Sequence, residues 1–214
     1  MTQSKGEPRI PTETIKRLGL YLRRLRRLLT SSVETVSSEE ITRYLDISSH
    51  QFRKDLSYFG PFGRRGVGYK TDQLIVQLEK ILGLDSECPI ALVGVGKLGS
   101  AFLAYTGFSN FNIRIVAAFD NDITKIGKNW EGIRIEDLSR LETIVPELKI
   151  KLAVLTVPAE YAQEVGIQLA KSGVKGILNF APANLNLPGE VLVINVDMAA
   201  ELMALAYLVQ KLDR

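Results

Sequence analysis

The spacing of apolar positions changes near residue 86, and the two halves predict different elements. In the first half the period is helical. Ile15, Leu18, Leu22, Leu25 and Leu29 recur every three or four residues behind Pro11, which predicts a long helix from Pro11 to about Ser32. Ser37-Ser38-Glu39-Glu40, ahead of Ile41, Tyr44 and Leu45, has capping-box spacing and predicts a short second helix ending near Asp46. Ile47-Ser48-Ser49 makes a tight connection with a serine able to cap a third helix, from His50 to about Phe59, whose core face is Phe52, Leu56 and Phe59. Two short helices joined by three residues form a helix-turn-helix pattern. Four glycines and a proline between Gly60 and Lys70 cannot sustain a helix and suit a tight β-hairpin with Arg64 and Arg65 at its tip. Thr71 then caps a fourth amphipathic helix through Leu82, closed by Gly83.

In the second half the apolar runs are continuous. They cover residues 90–93, 113–119, 152–157, 176–180 and 191–196, with helix candidates at 98–105, 137–145 and 159–172 between them. Unbroken β-branched runs separated by helices predict a parallel sheet covered on both faces. A final helix runs to Leu212 with Asp197 as its cap. The expected fold class is α/β: a winged helix-turn-helix over residues 1–85, a Rossmann-like parallel-sheet domain over 86–196, and a C-terminal helix over 197–214.

Composition narrows the setting. A chain of 214 residues with 46% hydrophobic content can close two small cores, and no run approaches the roughly 20 apolar residues of a membrane span. The N-terminus lacks the apolar core of a signal peptide. Cys88 is the only cysteine, which excludes an intramolecular disulfide and a cysteine-built metal site. These features predict a cytosolic protein without a metal. Charge is divided unevenly: residues 1–85 hold 15 Lys and Arg against 10 Asp and Glu, and the remainder holds 12 against 14. The basic half is the one suited to phosphates.

Gly94-Val95-Gly96-Lys97-Leu98-Gly99 carries the most chemistry. It follows a predicted strand, opens a predicted helix, and precedes Asp120 at the end of the next strand. In such a loop Gly94 permits a tight turn, Gly96 lets the backbone approach a pyrophosphate, and Gly99 permits close helix–strand packing. The helix N-terminus adds free N–H groups and positive potential. Asp120 could accept hydrogen bonds from a ribose diol and would repel a 2′-phosphate, which favours NAD(H). Lys97 is either a phosphate contact or a solvated side chain. Thr156-Val157-Pro158 and Phe180-Ala181-Pro182, at the carboxyl ends of two further strands, offer apolar walls for a nicotinamide or ribose.

An enzyme reading meets an obstacle. Hydride transfer usually employs a histidine near the nicotinamide, and the only histidine, His50, opens the third helix. Tyr105 or a lysine could replace it, but no residues remain for a substrate domain, so no catalytic residue is assigned. An NAD(H)-dependent dehydrogenase and a CoA-binding protein remain as alternatives. The basic half suits duplex DNA: Ser49, Gln51, Arg53, Lys54, Ser57 and Tyr58 on the third helix for the major groove, Arg64 and Arg65 for the minor groove.

The strings Arg53-Lys54-Asp55-Leu56-Ser57-Tyr58-Phe59-Gly60, Arg65-Gly66-Val67-Gly68-Tyr69, Val93-Gly94-Val95-Gly96-Lys97-Leu98-Gly99-Ser100-Ala101 and Gly176-Ile177-Leu178-Asn179-Phe180-Ala181-Pro182 resemble the Rex family of bacterial redox-sensing transcriptional repressors. The resemblance spans essentially the whole chain. It implies a homodimer that binds operator DNA when NAD⁺ prevails and releases it on binding NADH, with the C-terminal helix swapped between subunits. It also implies a switch formed by an arginine of the first helix, a tyrosine of the helix after the glycine loop and the aspartate capping the last helix. The matching positions are Arg23, Tyr105 and Asp197. Members commonly carry an aromatic immediately after that aspartate; this chain has Met198, which fills the same space less rigidly.

Overall fold

Pro11 is the N-cap of helix α1 (Thr12–Thr30) in the computed structural model, which describes residues 10–63 and 66–212. The chain divides into two units, one ending at Ser86 and the other beginning at Glu87. In the first unit α1 is followed by β1 (Thr35–Val36), α2 (Ser38–Thr42), α3 (Ser49–Ser57), β2 (Tyr69–Lys70) and α4 (Thr71–Leu82). Leu18, Leu22 and Leu25 are buried as the periodicity predicts, but Ile15 and Leu29 are exposed and their places are taken by Thr14 and Tyr21. A buried carboxylate explains the exchange. Asp55 of α3, fully inaccessible, accepts hydrogen bonds from Thr14 Oγ1, Tyr21 Oη and both Nε and Nη2 of Arg17, so polar residues of α1 turn inward. Around it Phe52 meets Tyr21 and Tyr69 edge-on at 4.8 and 5.4 Å between ring centres.

Three boundaries in this unit differ from expectation. Helix α2 stops at Thr42 rather than near Asp46, because Tyr44 takes a left-handed backbone (φ 74°) that ends the helix. The glycine-rich segment does not pair with itself among the described residues. All four of its glycines have positive φ, and Tyr69–Lys70 pairs antiparallel with Thr35–Val36, which precede α2. Arg64 and Arg65 lie outside the described residues. Thr71 is the first residue of α4 rather than its cap; it is buried, and Lys70 holds the cap position. Gly83 closes α4 in the left-handed conformation, as a C′ glycine does.

Both arms of the capping box at α2 form: the Glu40 amide donates to Ser37 Oγ (3.2 Å), and the Ser37 amide donates to Glu40 Oε2 (2.8 Å). The second bond draws the Glu40 carboxyl below its ordinary range. We expect Ser37→Ala to cost about 1 kcal/mol, the usual worth of such a cap. Urea unfolding of the full chain measures it, and an unchanged midpoint for the first transition would contradict the assignment.

The second unit is a seven-stranded sheet. Its elements are β3 (Cys88–Val93), α5 (Lys97–Ala104), β4 (Ile113–Asp120), β5 (Asn129–Trp130), β6 (Ile133–Asp137), α6 (Leu141–Glu147), β7 (Leu152–Leu155), α7 (Ala159–Ser172), β8 (Gly176–Asn179), β9 (Leu192–Asn195) and α8 (Met198–Leu212). Strand order is β5-β6-β4-β3-β7-β8-β9, parallel except for β5. The sheet is therefore not wholly parallel, and β5 and β6 are additions to the expected strands. The expected helix over 137–145 begins later, at Leu141, after a 3₁₀ turn over Leu138–Arg140. Cys88 opens β3 half-buried, and burial pushes its thiol pKa up.

One face of the sheet packs Ala91, Val93, Phe119, Ala153, Leu155 and Ile177 beneath α6 and α7. The opposite face packs Ile90, Leu92, Ala118 and Val154 with Leu103 of α5. Toward β9 that second face is bare: Leu152, Leu192 and Ile194, with the same strand parity, are exposed. Helix α8 has no buried residue, although Leu202, Met203, Leu205, Tyr207, Leu208, Val209 and Leu212 are apolar or aromatic. Asp197 Oδ1 caps it, accepting from the amides of Ala199 and Ala200 at 3.0 Å each.

Candidate functional site

The glycine loop connects β3 to α5, and each glycine answers to a different contact. Gly94 has φ 95° and lies so close to the Thr156 carbonyl that an added Cβ would approach to 2.9 Å. A Cβ on Gly99 would reach 2.0 Å from the Gly94 carbonyl oxygen. A Cβ on Gly96 would meet nothing within 4 Å, so this glycine faces open space. Gly96 is also the N-cap of α5 and supplies no side-chain acceptor, which leaves the helix's first-turn amides directed at that space.

That space is a cleft of about 470 Å³, within the usual range for a small-molecule site. Gly94, Gly96, Asp120, Thr156, Val157 and Pro158 line it, all of which sequence reasoning singles out. Asn121, Asp122, Lys125, Leu138, Tyr161 and Val165 line it as well and were not anticipated. Lys125 had a signal in its distance from Asp120, one turn beyond the strand end. Tyr161 lies in the first turn of α7, where a helix-period reading assigns only packing.

Asp120 is more committed than the ribose-acceptor reading assumes. It is 6% exposed; Oδ2 accepts from the Val95 amide (2.7 Å) and Lys125 Nζ (3.1 Å), and Oδ1 accepts from the Asp122 amide (2.9 Å). The carboxylate thus staples the glycine loop to the end of β4. Val95 is buried, its N–H is bonded to Asp120, and it is not among the cleft-lining residues. The Thr156 hydroxyl likewise donates to the Gly94 carbonyl (2.6 Å). Lys97 is exposed and Leu98 half-buried at the start of α5. Phe180, Ala181 and Pro182 are not among the cleft-lining residues. Phe180 instead packs on Phe102 of α5 at 5.0 Å, and the Ala181 amide donates to buried Asn179. They follow β8, one strand beyond the cleft. Tyr105 follows α5, is exposed, and packs edge-on with Phe108 at 4.8 Å.

In the first unit Ser48 caps α3 by accepting from the Gln51 amide (3.1 Å). Arg53, Lys54 and Ser57 are exposed along α3, with Ser49 and Tyr58 partly so. Gln51, half-buried, donates from its side-chain amide inward to Asp55 Oδ1 (2.8 Å). Arg53 bonds Ser38 Oγ (2.6 Å) and pairs with Glu39 (3.3 Å). Glu39, bonded by its own amide and by the Ser49, Ser38 and Arg53 side chains, has its carboxyl lowered to about 2. The exposed face of α3 thus carries two cationic side chains, Lys54 and an Arg53 held by α2, and the Ser57 hydroxyl donates to the Lys54 carbonyl (2.7 Å). Arg23 is exposed on α1, and Arg24 lies over the Tyr44 ring at 5.2 Å. Among the described residues no group of three or more His, Cys, Asp or Glu could hold a metal, and no helix is long and apolar enough to cross a membrane.

Known proteins match both units. A family model described as "Putative DNA-binding protein N-terminus" matches residues 9–57, and one described as "CoA binding domain" matches residues 85–183. The redox-sensing transcriptional repressor Rex of Carboxydothermus hydrogenoformans is 45% identical over 95% of this chain and 98% of its own length. That of Syntrophomonas wolfei is 49% identical over 93% and 95%. Among solved structures, RSP in complex with β-NAD⁺ and operator DNA aligns over 96% of this chain and 95% of its own, with TM-score 0.88 and 31% identity. RSP in complex with β-NADH aligns with TM-score 0.84 and 30% identity, over 96% of this chain and 97% of its own. Fold, cleft and cationic helix define a transcriptional repressor with a DNA-binding module ahead of a Rossmann-like nucleotide domain. More narrowly, the chain belongs to the Rex family of redox-sensing transcriptional repressors.

Proposed function

We propose that this chain represses transcription by binding a palindromic operator as a homodimer, and that NADH in the Rossmann-like cleft releases it. The observation that carries the reading is the conjunction of an open glycine cradle, at Gly96 before α5, with a cationic recognition helix on the same chain. RSP, which aligns along almost the whole length, is described with operator DNA and with both nucleotides. Residues 1–85 are the DNA-binding domain, 86–196 the NAD(H)-binding domain and 197–214 the dimerisation helix.

Gly94, Gly96 and Gly99 shape the loop; the Lys97 and Leu98 amides at the start of α5 receive the pyrophosphate. Asp120 holds that loop in place, while Thr156, Val157 and Pro158 wall the cleft. Bound nucleotide supplies a nicotinamide ring that is neutral when reduced and cationic when oxidised. The apolar end of β7, Val157 and Pro158, favours the neutral ring, since an unpaired buried charge is costly. Lys54, Arg53, Ser49, Ser57 and Tyr58 contact DNA from α3, joined by Arg64 and Arg65.

The dimer rests on matching bare surfaces. Helix α8 buries none of its apolar residues, and the β7–β9 strip at Leu152, Leu192 and Ile194 lacks a covering helix. A second copy's α8 supplies that cover, which is the swapped arrangement. Arg23, Tyr105, Asp197 and Met198 then couple cleft occupancy to the spacing of the two recognition helices.

Coupling of this kind is reciprocal. Moving the repressor from mostly bound to mostly free requires about 5.5 kcal/mol of differential binding. Titrating NADH by tryptophan or nucleotide fluorescence, with and without operator, measures it. We expect operator to weaken NADH binding and leave NAD⁺ binding unchanged or tighter; equal NADH affinity in both titrations rejects the reading.

A further inference from the structure

Asp55 stands on the recognition helix yet presents no surface to solvent. It is fully buried and accepts five hydrogen bonds, two from Arg17, one each from Thr14, Tyr21 and Gln51. Four of the five come from α1, across 34 to 41 residues of sequence, and the fifth from one turn earlier on α3. Burial by itself would raise the carboxyl, but the Arg17, Gln51, Tyr21 and Thr14 bonds outweigh it and hold the group ionised below the ordinary carboxylate range. Burial and the bond to Asp55 raise the Tyr21 phenol, so its proton stays in the network.

A buried ion pair adds little net stability compared with apolar residues of the same shape. Its better-attested use is to select one arrangement, because every donor must find its acceptor at once. Apolar contacts of α3 through Phe52 and Leu56 tolerate small rotations and slides. A carboxylate clamped by a two-pronged guanidinium does not, since the planar fork fixes direction as well as distance. Rotation of α3 about its axis would carry Arg53, Lys54 and Ser57 away from the groove together.

We propose that Asp55 is a positioning residue for operator recognition: with Arg17, Tyr21 and Gln51 it fixes the rotation of α3 against α1, and Gln51 serves this tie rather than reading a base. This rests on α3 meeting DNA, as proposed above. The effect is distinct from that of a base-reading side chain. Loss of a reader relaxes specificity at one base pair, whereas loss of a positioning bond weakens binding to every operator variant by a similar factor.

The test uses Asp55→Asn, Tyr21→Phe and Gln51→Ala in the full-length protein. Operator affinity is measured by fluorescence anisotropy well below the melting temperature, on the operator and on its single-base-pair variants, with NADH affinity as a control on the other unit. We expect Asp55→Asn to weaken operator binding at least about tenfold, or about 1.4 kcal/mol, and the other two about threefold, or about 0.65 kcal/mol. The loss is expected to be uniform across the operator set, with NADH affinity unchanged. A folded Asp55→Asn protein with wild-type operator affinity overturns the proposal, as does a Gln51→Ala protein that loses discrimination at a single base pair. Should Asp55→Asn not fold, wild-type affinity in both Tyr21→Phe and Gln51→Ala overturns it equally. If wild-type protein binds no operator, the reading of the function fails instead.

Discussion

Replacing Gly99 by alanine is expected to remove NADH binding while leaving the operator-binding unit intact. The new Cβ would lie 2.0 Å from the Gly94 carbonyl oxygen and 3.0 Å from Thr156 Oγ1. Neither is the far end of a flexible side chain. Gly94 is held by its carbonyl's bond from Thr156 and by its own amide's bond to Phe119. The loop has to lift away from β7, and with it the amides at the start of α5. Overpacking of this kind costs about 1–3 kcal/mol in stability. A displaced phosphate cradle costs more in affinity, of the order of 100-fold or about 2.7 kcal/mol. Calorimetry with NADH measures the loss, and a gel shift without nucleotide checks the operator side. If NADH releases the operator, as proposed, the variant is expected to remain bound at NADH concentrations that free the wild-type protein. NADH affinity within a few fold of wild type would show that the loop does not hold the pyrophosphate.

Placing charges on α8 is expected to have an effect of similar size on the other activity. Leu205→Lys with Leu208→Lys changes two exposed apolar side chains on a helix that has no buried residue. A monomeric protein would tolerate both without consequence, since exposed substitutions usually fall within about 0.5 kcal/mol. In a swapped dimer the same pair puts two unpaired ammonium groups against Leu152, Leu192 and Ile194. We expect sedimentation equilibrium to show a monomer, and operator affinity to fall by about 100-fold or more as two linked half-site contacts become one. NADH binding is expected to persist in weakened form. A dimer of wild-type strength would remove α8 from the interface.

Much of this was readable from residue pattern alone, for physical reasons that differ by element. Helix α7 matched its predicted bounds because an amphipathic repeat of four turns ends in a left-handed glycine, Gly173. The capping box at Ser37 and Glu40 was legible because both partners lie within one turn. The glycine loop was legible because each glycine answers a local geometric demand. Pairings between distant short segments were not. Thr35–Val36 with Tyr69–Lys70 is two residues long on each side and carries no alternation to read. Trp130 and Asn129 pair with β6 for equally little local reason.

The buried hub was hidden differently. Asp55 lies between Phe52 and Leu56 on the apolar face of α3, an anomaly that marks a carboxylate with buried donors, but four of its five bonds come from another helix. For that reason Tyr21 and Thr14 displaced Ile15 and Leu29 from the expected core. At the cleft, Asp120 was found by its place at the end of β4, while its bond to Val95 was invisible to any rule of spacing. Lys125 and Tyr161 entered the lining only because two chain segments converge on the same strand ends.

The lone thiol opening β3 bears on what kind of signal reaches this repressor. Attack on peroxide or on a disulfide needs a thiolate, and burial disfavours that form at Cys88. Oxidation by hydrogen peroxide or capping by glutathione, both of which begin from the thiolate, is disfavoured at this thiol accordingly. A metabolite that exchanges reversibly in the proposed nucleotide cleft needs no such covalent chemistry, so genes would be freed as its pool shifts and silenced again as it recovers.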